Sequence, residues 1–204
     1  MEDLIAVLED LEAASRGRDA LGLSTSPAPV VIGHSMGAAT AMVAAGRRPD
    51  LVSGVVLEDP ARFGTRSPRE LLARGAARER AGAAEVADLP AAVGRALETM
   101  PDAEALPGVW ASQRPDPGLL LSGVVTPEVP WDEAMAAPEV PALLLTGDRP
   151  GSARVGSEGL ATASRNPHIT PVLVPGAGHQ VRRSDPQAFY RAVDTWLAEV
   201  LPVG

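Results

Sequence analysis

The stretch Val30-Val31-Ile32-Gly33-His34-Ser35-Met36-Gly37-Ala38-Ala39-Thr40-Ala41-Met42 decides the architecture, because it passes from strand-like to helix-like sequence across five residues. Val30, Val31 and Ile32 are β-branched and follow Pro29, as expected of a short strand buried on both faces in a parallel sheet. Ala38 to Ala45 is rich in small helix formers and stops at Gly46, with Pro49 beyond. Between them lies a G-x-S-x-G turn, Gly33-His34-Ser35-Met36-Gly37. A sharp strand-to-helix turn strains the serine backbone, and both flanking positions are expected to need glycine where helix and strand approach. Ser35 then projects at the carboxyl edge of the sheet, and the Met36 amide at the helix start points at the same place, as an oxyanion donor would. A serine here could serve simply as a helix N-cap. The combination of pattern and setting favours a nucleophile.

Working outward, Leu4, Ile5, Leu8 and Leu11 share one face of an amphipathic helix over residues 3–15 that ends near Gly17. Downstream, Val52 to Leu57, Val140 to Thr146 and Ile169 to Val174 read as three more strands, with a helix over Ser157 to Ser164 between the last two. Ser184-Asp185-Pro186-Gln187 opens a final helix with a capping-box pattern, and Phe189, Val193, Trp196, Leu197 and Val200 repeat along it at helical spacing. The alternation predicts an α/β fold with a mostly parallel sheet of about four strands flanked by helices. Residues 61–137 break the rhythm with two alanine-rich helical stretches, about 68–84 and 90–100, and a looser part holding Trp110 and Trp131. This is longer than a crossover needs and reads as a helical insertion between core segments 1–60 and 138–204.

The chain has 204 residues, 45% of them hydrophobic, enough for one domain with a sizeable core. Without cysteine, disulfides, thiolate metal sites and a cysteine nucleophile are excluded. All 18 cationic residues are arginine, and against 26 acidic ones they leave a net charge of −8, which argues against binding nucleic acid through its phosphates. No apolar run is long enough to span a membrane, and the acidic start Met1-Glu2-Asp3 does not resemble a signal peptide, so a cytoplasmic location is expected. Three scattered histidines without clustered carboxylates offer no metal-ligand set, and no phosphate loop or dinucleotide fingerprint is present, so neither metal nor cofactor is expected.

A serine hydroxyl needs a base, and only His34, His168 and His179 are available. His34 lies inside the turn with its side chain directed away from that of Ser35, and His168 precedes the fourth strand at the edge opposite the expected site. His179 follows that strand in Val174-Pro175-Gly176-Ala177-Gly178-His179, at the carboxyl edge where Ser35 also lies, which makes it the expected base. Two carboxylates compete to orient it. Asp148 follows the third strand in a glycine-containing loop, and Asp59 follows the second before Pro60. Asp148 is preferred for its reach towards the next strand's histidine, while Asp59 could equally cap a turn. Trp110 and Trp131, two of only six aromatic residues, are candidates to line an apolar substrate pocket, or else pack the insertion.

Gly33-His34-Ser35-Met36-Gly37 after a strand, Leu145-Thr146-Gly147-Asp148, and Gly176-Ala177-Gly178-His179 before a terminal amphipathic helix together resemble the α/β-hydrolase family, specifically its lid-bearing, esterase-like members. The resemblance implies that the four strands correspond to the family's fifth to eighth and residues 61–137 to its cap. It also implies that Ser35, Asp148 and His179 are nucleophile, acid and base in cleaving a carboxylic ester or related acyl bond. Family members carry further strands and a His-Gly oxyanion loop ahead of the helix that begins here near Asp3, and these are absent from the sequence. The expectations that follow are a chain derived from a longer protein, a first strand lying at a sheet edge open to pairing with a second copy, and one missing oxyanion donor. Loss of such a donor typically costs on the order of 10² to 10³ in rate. The alternative is a non-catalytic scaffold that binds a ligand or partner subunit.

Overall fold

The computed structural model describes residues 2–23, 27–61, 67–98, 100–114 and 129–201. In chain order these form α1 (Glu2–Ala20), β1 (Val30–His34), α2 (Met36–Arg47), β2 (Gly54–Glu58), α3 (Pro68–Ala87), α4 (Leu89–Leu97), α5 (Asp102–Ser112), α6 (Trp131–Ala136), β3 (Ala142–Gly147), α7 (Gly156–Ala163), β4 (Ile169–Val174), α8 (Val181–Ser184) and α9 (Pro186–Val200). They fall into two compact units, Met1–Phe63 with Pro127–Gly204, and Gly64–Thr126.

In the first unit the four strands are all parallel, in the order β1-β2-β3-β4, with Val31 opposite Val55, Val56 opposite Leu143 and Leu144 opposite Pro171. β2 and β3 are buried along their whole length, as continuous apolar strands in a parallel sheet must be. Pro171 lacks a ladder donor and sits in β4, at an end of the sheet where that donor is dispensable.

Successive side chains divide between the faces. Val55, Leu57, Ala142 and Leu144 join Met42, Leu8, Trp131 and Leu160 on one side, while Val56, Leu143 and Leu145 join Val181, Phe189, Val193 and Trp196 on the other. Two layers of helix thus enclose the central strands. β1 ends the sheet opposite β4, and its Ile32 is 58% exposed.

Several local expectations shift. α1 continues to Ala20, and Leu11 is exposed while Leu8 is buried. α9 is capped by Asp185, whose carboxylate accepts from the Ala188 amide at 2.9 Å, with Pro186 in the first turn. Ser184 does not cap it; its hydroxyl instead accepts from the Gly178 amide at 3.1 Å.

The described residues of the second unit form helices. Ser67 and Glu70 form a capping box that opens α3, and Asp88 caps α4 by accepting from the Ala91 amide. α5, which the sequence reading left as looser chain, is helical through Pro107. The structural boundary also differs from the expected 61–137 insertion: α6 packs in the first unit, with Trp131, Ala134 and Met135 in its core. Residues 62–66, 99 and 115–128 of the expected insertion lie outside the described residues.

Candidate functional site

β1 delivers His34 to the carboxyl edge, and the chain turns at Ser35 with φ 54° and ψ −115°, a conformation that non-glycine residues seldom adopt. The turn is fastened by main-chain bonds. The Ser35 amide donates to the Glu58 carbonyl, and the Ser35 carbonyl accepts from the amides of Ala39 and Ala61, each at 3.0 Å. The two glycines differ. A Cβ on Gly33 would lie 2.6 Å from main-chain atoms of Gly37 and Ala38, whereas one on Gly37 would meet nothing within 4 Å. The steric requirement expected of both glycines therefore holds for the first alone.

Ser35 makes no side-chain capping bond to α2. Its Oγ instead lies 2.9 Å from Nε2 of His179, and Nδ1 of the same ring lies 2.6 Å from Oδ2 of Asp59. The three side chains come from the ends of β1 and β2 and from the loop after β4. Met36 is the first residue of α2, so its amide is one of the donors that a helix start leaves without an intrahelical partner.

The carboxylate that meets the His179 ring is that of Asp59, not the expected Asp148. Asp59 is fully buried and has φ 40°, which turns its carboxylate back across the end of the sheet. Besides His179 it accepts from Thr146 Oγ1 at 2.6 Å, from the Arg154 amide at 2.9 Å and from the Val155 amide at 3.0 Å. Burial alone would raise its pKa, but the donors from His179, Thr146, Val155 and Arg154 more than offset that and hold the carboxyl below the usual aspartate value. Asp148 bends away instead, and its carboxylate accepts from the Gly176 amide at 2.6 Å on the exposed side of the loop. The reach argument for Asp148 fails because its short side chain is used locally, tying the end of β3 to the loop before His179. Gly147 makes that approach feasible, since a Cβ there would overlap the Ala177 carbonyl oxygen.

The His179 main chain is also held. Its amide donates to Ser152 Oγ at 3.1 Å, and its carbonyl oxygen lies 3.0 Å from Nε2 of His34. Glu58, only 2% exposed, accepts from the Arg182 amide at 2.9 Å and from its guanidinium at 2.6 Å. Sequence reasoning missed Thr146, Ser152, Glu58 and Arg182. Thr146 alone left a signal, a hydroxyl at the end of an otherwise apolar buried strand, Ala142-Leu143-Leu144-Leu145.

Trp131 is 7% exposed and packs in the core of the first unit. Trp110 belongs to the second unit, is 55% exposed, and carries the Arg114 guanidinium over its ring at 4.1 Å. His168 is exposed before β4, with its carbonyl accepting from the Ala142 amide, far from the ends that carry Ser35 and Asp59. Among the described residues no three His, Cys, Asp or Glu side chains cluster to hold a metal, and no helix is long and apolar enough to cross a membrane.

A parallel sheet that presents a serine on a strained strand-to-helix turn, joined to a histidine and a buried aspartate, defines the class of α/β proteins built around a nucleophile elbow. The chain matches the profile of the alpha/beta hydrolase family over residues 1–192 and belongs to that family. No curated protein sequence matches it.

Among solved structures it is similar to E-2-(acetamidomethylene)succinate hydrolase, with 26% identity and a TM-score of 0.62 over 93% of this chain and 72% of that one. It is similar to NosK from Streptomyces actuosus, with 27% identity and a TM-score of 0.57 over 98% of this chain and 75% of the other. A thermophilic esterase shares the fold at 21% identity and a TM-score of 0.56, covering 96% and 74% of the respective chains. Family and neighbours together support a hydrolase.

Proposed function

We propose that the chain is a serine hydrolase that cleaves a carboxylic ester or related acyl bond through an acyl-enzyme on Ser35. The observation that carries this reading is the continuous relay from Ser35 Oγ to His179 Nε2 at 2.9 Å and from His179 Nδ1 to Asp59 at 2.6 Å. A carboxylate can only accept, so Nδ1 carries the proton and Nε2 is free to accept that of Ser35. Ser35 Oγ attacks the acyl carbon while Nε2 takes its proton, and the Met36 amide at the positive end of α2 stabilises the oxyanion. Collapse expels the alcohol, which takes the proton from Nε2. Water, deprotonated by the same nitrogen, then releases the acid and restores the serine. The hydrolases and the esterase among the structural neighbours fit this class of reaction.

The deciding experiment pairs turnover of a p-nitrophenyl ester with labelling by a fluorophosphonate probe. Ser35→Ala is expected to abolish labelling and lower kcat by at least about 10⁴-fold; undiminished turnover would refute the assignment. A second reading, a scaffold that pairs with a partner through the outer edge of β1, draws on the 58% exposure of Ile32 in that strand. A protein that stays unlabelled and elutes as an oligomer would favour it.

A further inference from the structure

We propose that His34, the residue directly before the serine, is a positioning residue that holds His179 in place through its main chain; this rests on the hydrolase reading above. His34 Nε2 lies 3.0 Å from the His179 carbonyl oxygen, which can only accept, so that nitrogen carries a proton. On the other side of the same residue, the His179 amide donates to Ser152 Oγ at 3.1 Å. Both polar main-chain groups of His179 are thereby fastened by side chains, while its ring is left to Ser35 and Asp59.

The register of the sheet explains where these anchors come from. His34 and Glu58 are partners across β1 and β2, and each is followed by a residue that contacts the His179 ring, Ser35 and Asp59. Ser35 and Asp59 leave their strands with positive φ, 54° and 40°, and each strand end thus serves the third segment twice. Its last residue grips the main chain of that segment, and the next residue addresses its ring. His34 takes the carbonyl of His179, and Glu58 takes Arg182 three residues on, through both the amide and the guanidinium.

A histidine suits the first anchor because it can donate while neutral. The His34 and His179 rings lie 4.7 Å apart at a tilt of 44°, so a second cation at His34 would oppose the imidazolium that His179 must become. Burial lowers the His34 pKa below its ordinary value. The bond to the His179 carbonyl and the charge of Glu58 act the other way, and His179 and Arg182 reinforce the lowering.

The test compares His34→Leu with His34→Gln, whose amide nitrogen can stand near the position of Nε2. The leucine variant is expected to lose about 10- to 100-fold in kcat with KM within about twofold, and to label more slowly with fluorophosphonate in proportion. The glutamine variant is expected to recover most of that loss. His34→Asn, whose shorter amide stops short of the carbonyl, replaces leucine if that variant does not fold. Turnover of the leucine or asparagine variant within about twofold of the parent, or equal impairment of the glutamine variant, overturns the proposal.

A second readout needs no turnover: the downfield proton resonance of the His179–Asp59 bond should persist with glutamine and broaden or vanish with leucine. Its persistence in the leucine variant overturns the proposal. A parent protein that neither turns over esters nor labels would count against the hydrolase reading, and the resonance would still decide the role of His34.

Discussion

β2 and β3 lie side by side at the centre of the sheet, and each delivers an aspartate just beyond its carboxyl end, yet only one of the two reaches the histidine. Asp59 sits on a left-handed turn, fully buried, with donors from Thr146, Arg154 and Val155 surrounding its carboxylate. Asp148 stands in solvent with its carboxylate spent on the Gly176 amide. What separates the two acids is whether the surroundings can keep a charge buried: a desolvated carboxylate persists as an anion only where donors converge on it. The supply of donors decides which aspartate serves.

The sharpest way to break this comparison is to neutralise each acid in turn. Asp59→Asn should lower kcat by about 10⁴-fold, because an amide facing Nδ1 stabilises the wrong tautomer of His179. A loss of that size on Asp148→Asn would reverse the assignment.

The second test is acid stability. The folded pKa of Asp59 lies below its ordinary value, so its ionised form stabilises the fold above about pH 4, and that contribution is lost as the pH falls through the folded value. Urea denaturation midpoints measured from pH 7 down to pH 3 should therefore fall less steeply for Asp59→Asn than for the parent. Equal slopes would mean that the buried carboxylate is not the group titrating.

The smallest effect is expected of Asp148→Asn itself. With an exposed side chain and one bond to the Gly176 amide, the variant should keep kcat within about threefold and lose no more than about 1 kcal/mol of stability in chemical denaturation.

Much of this was readable before the structure. The four strands fall where their β-branched and leucine runs put them, with boundaries shifted by at most a few residues, because buried parallel strands leave an unbroken apolar signal. The Ser35 turn and the His179 loop were legible for a similar reason, as glycine-bearing segments directly after strands. The choice of Asp59 was not. It depends on a φ of 40° before Pro60 and on amides at 154 and 155 that lie 95 and 96 residues away in sequence. α5 was missed because Pro107 interrupts its pattern, and the two readings of Trp131 stayed open because a buried tryptophan and a pocket tryptophan look alike without their neighbours. What His34 meets, the carbonyl of His179, comes from 145 residues downstream and left no signal in the sequence.

The convergence on Asp59 also has a bearing on refolding. Its carboxylate is satisfied only when the ends of β2 and β3, the segment leading into α7, and the loop after β4 have all come together. Regained turnover in refolding would therefore report that these four segments have met, which a return of helical signal or compactness alone does not.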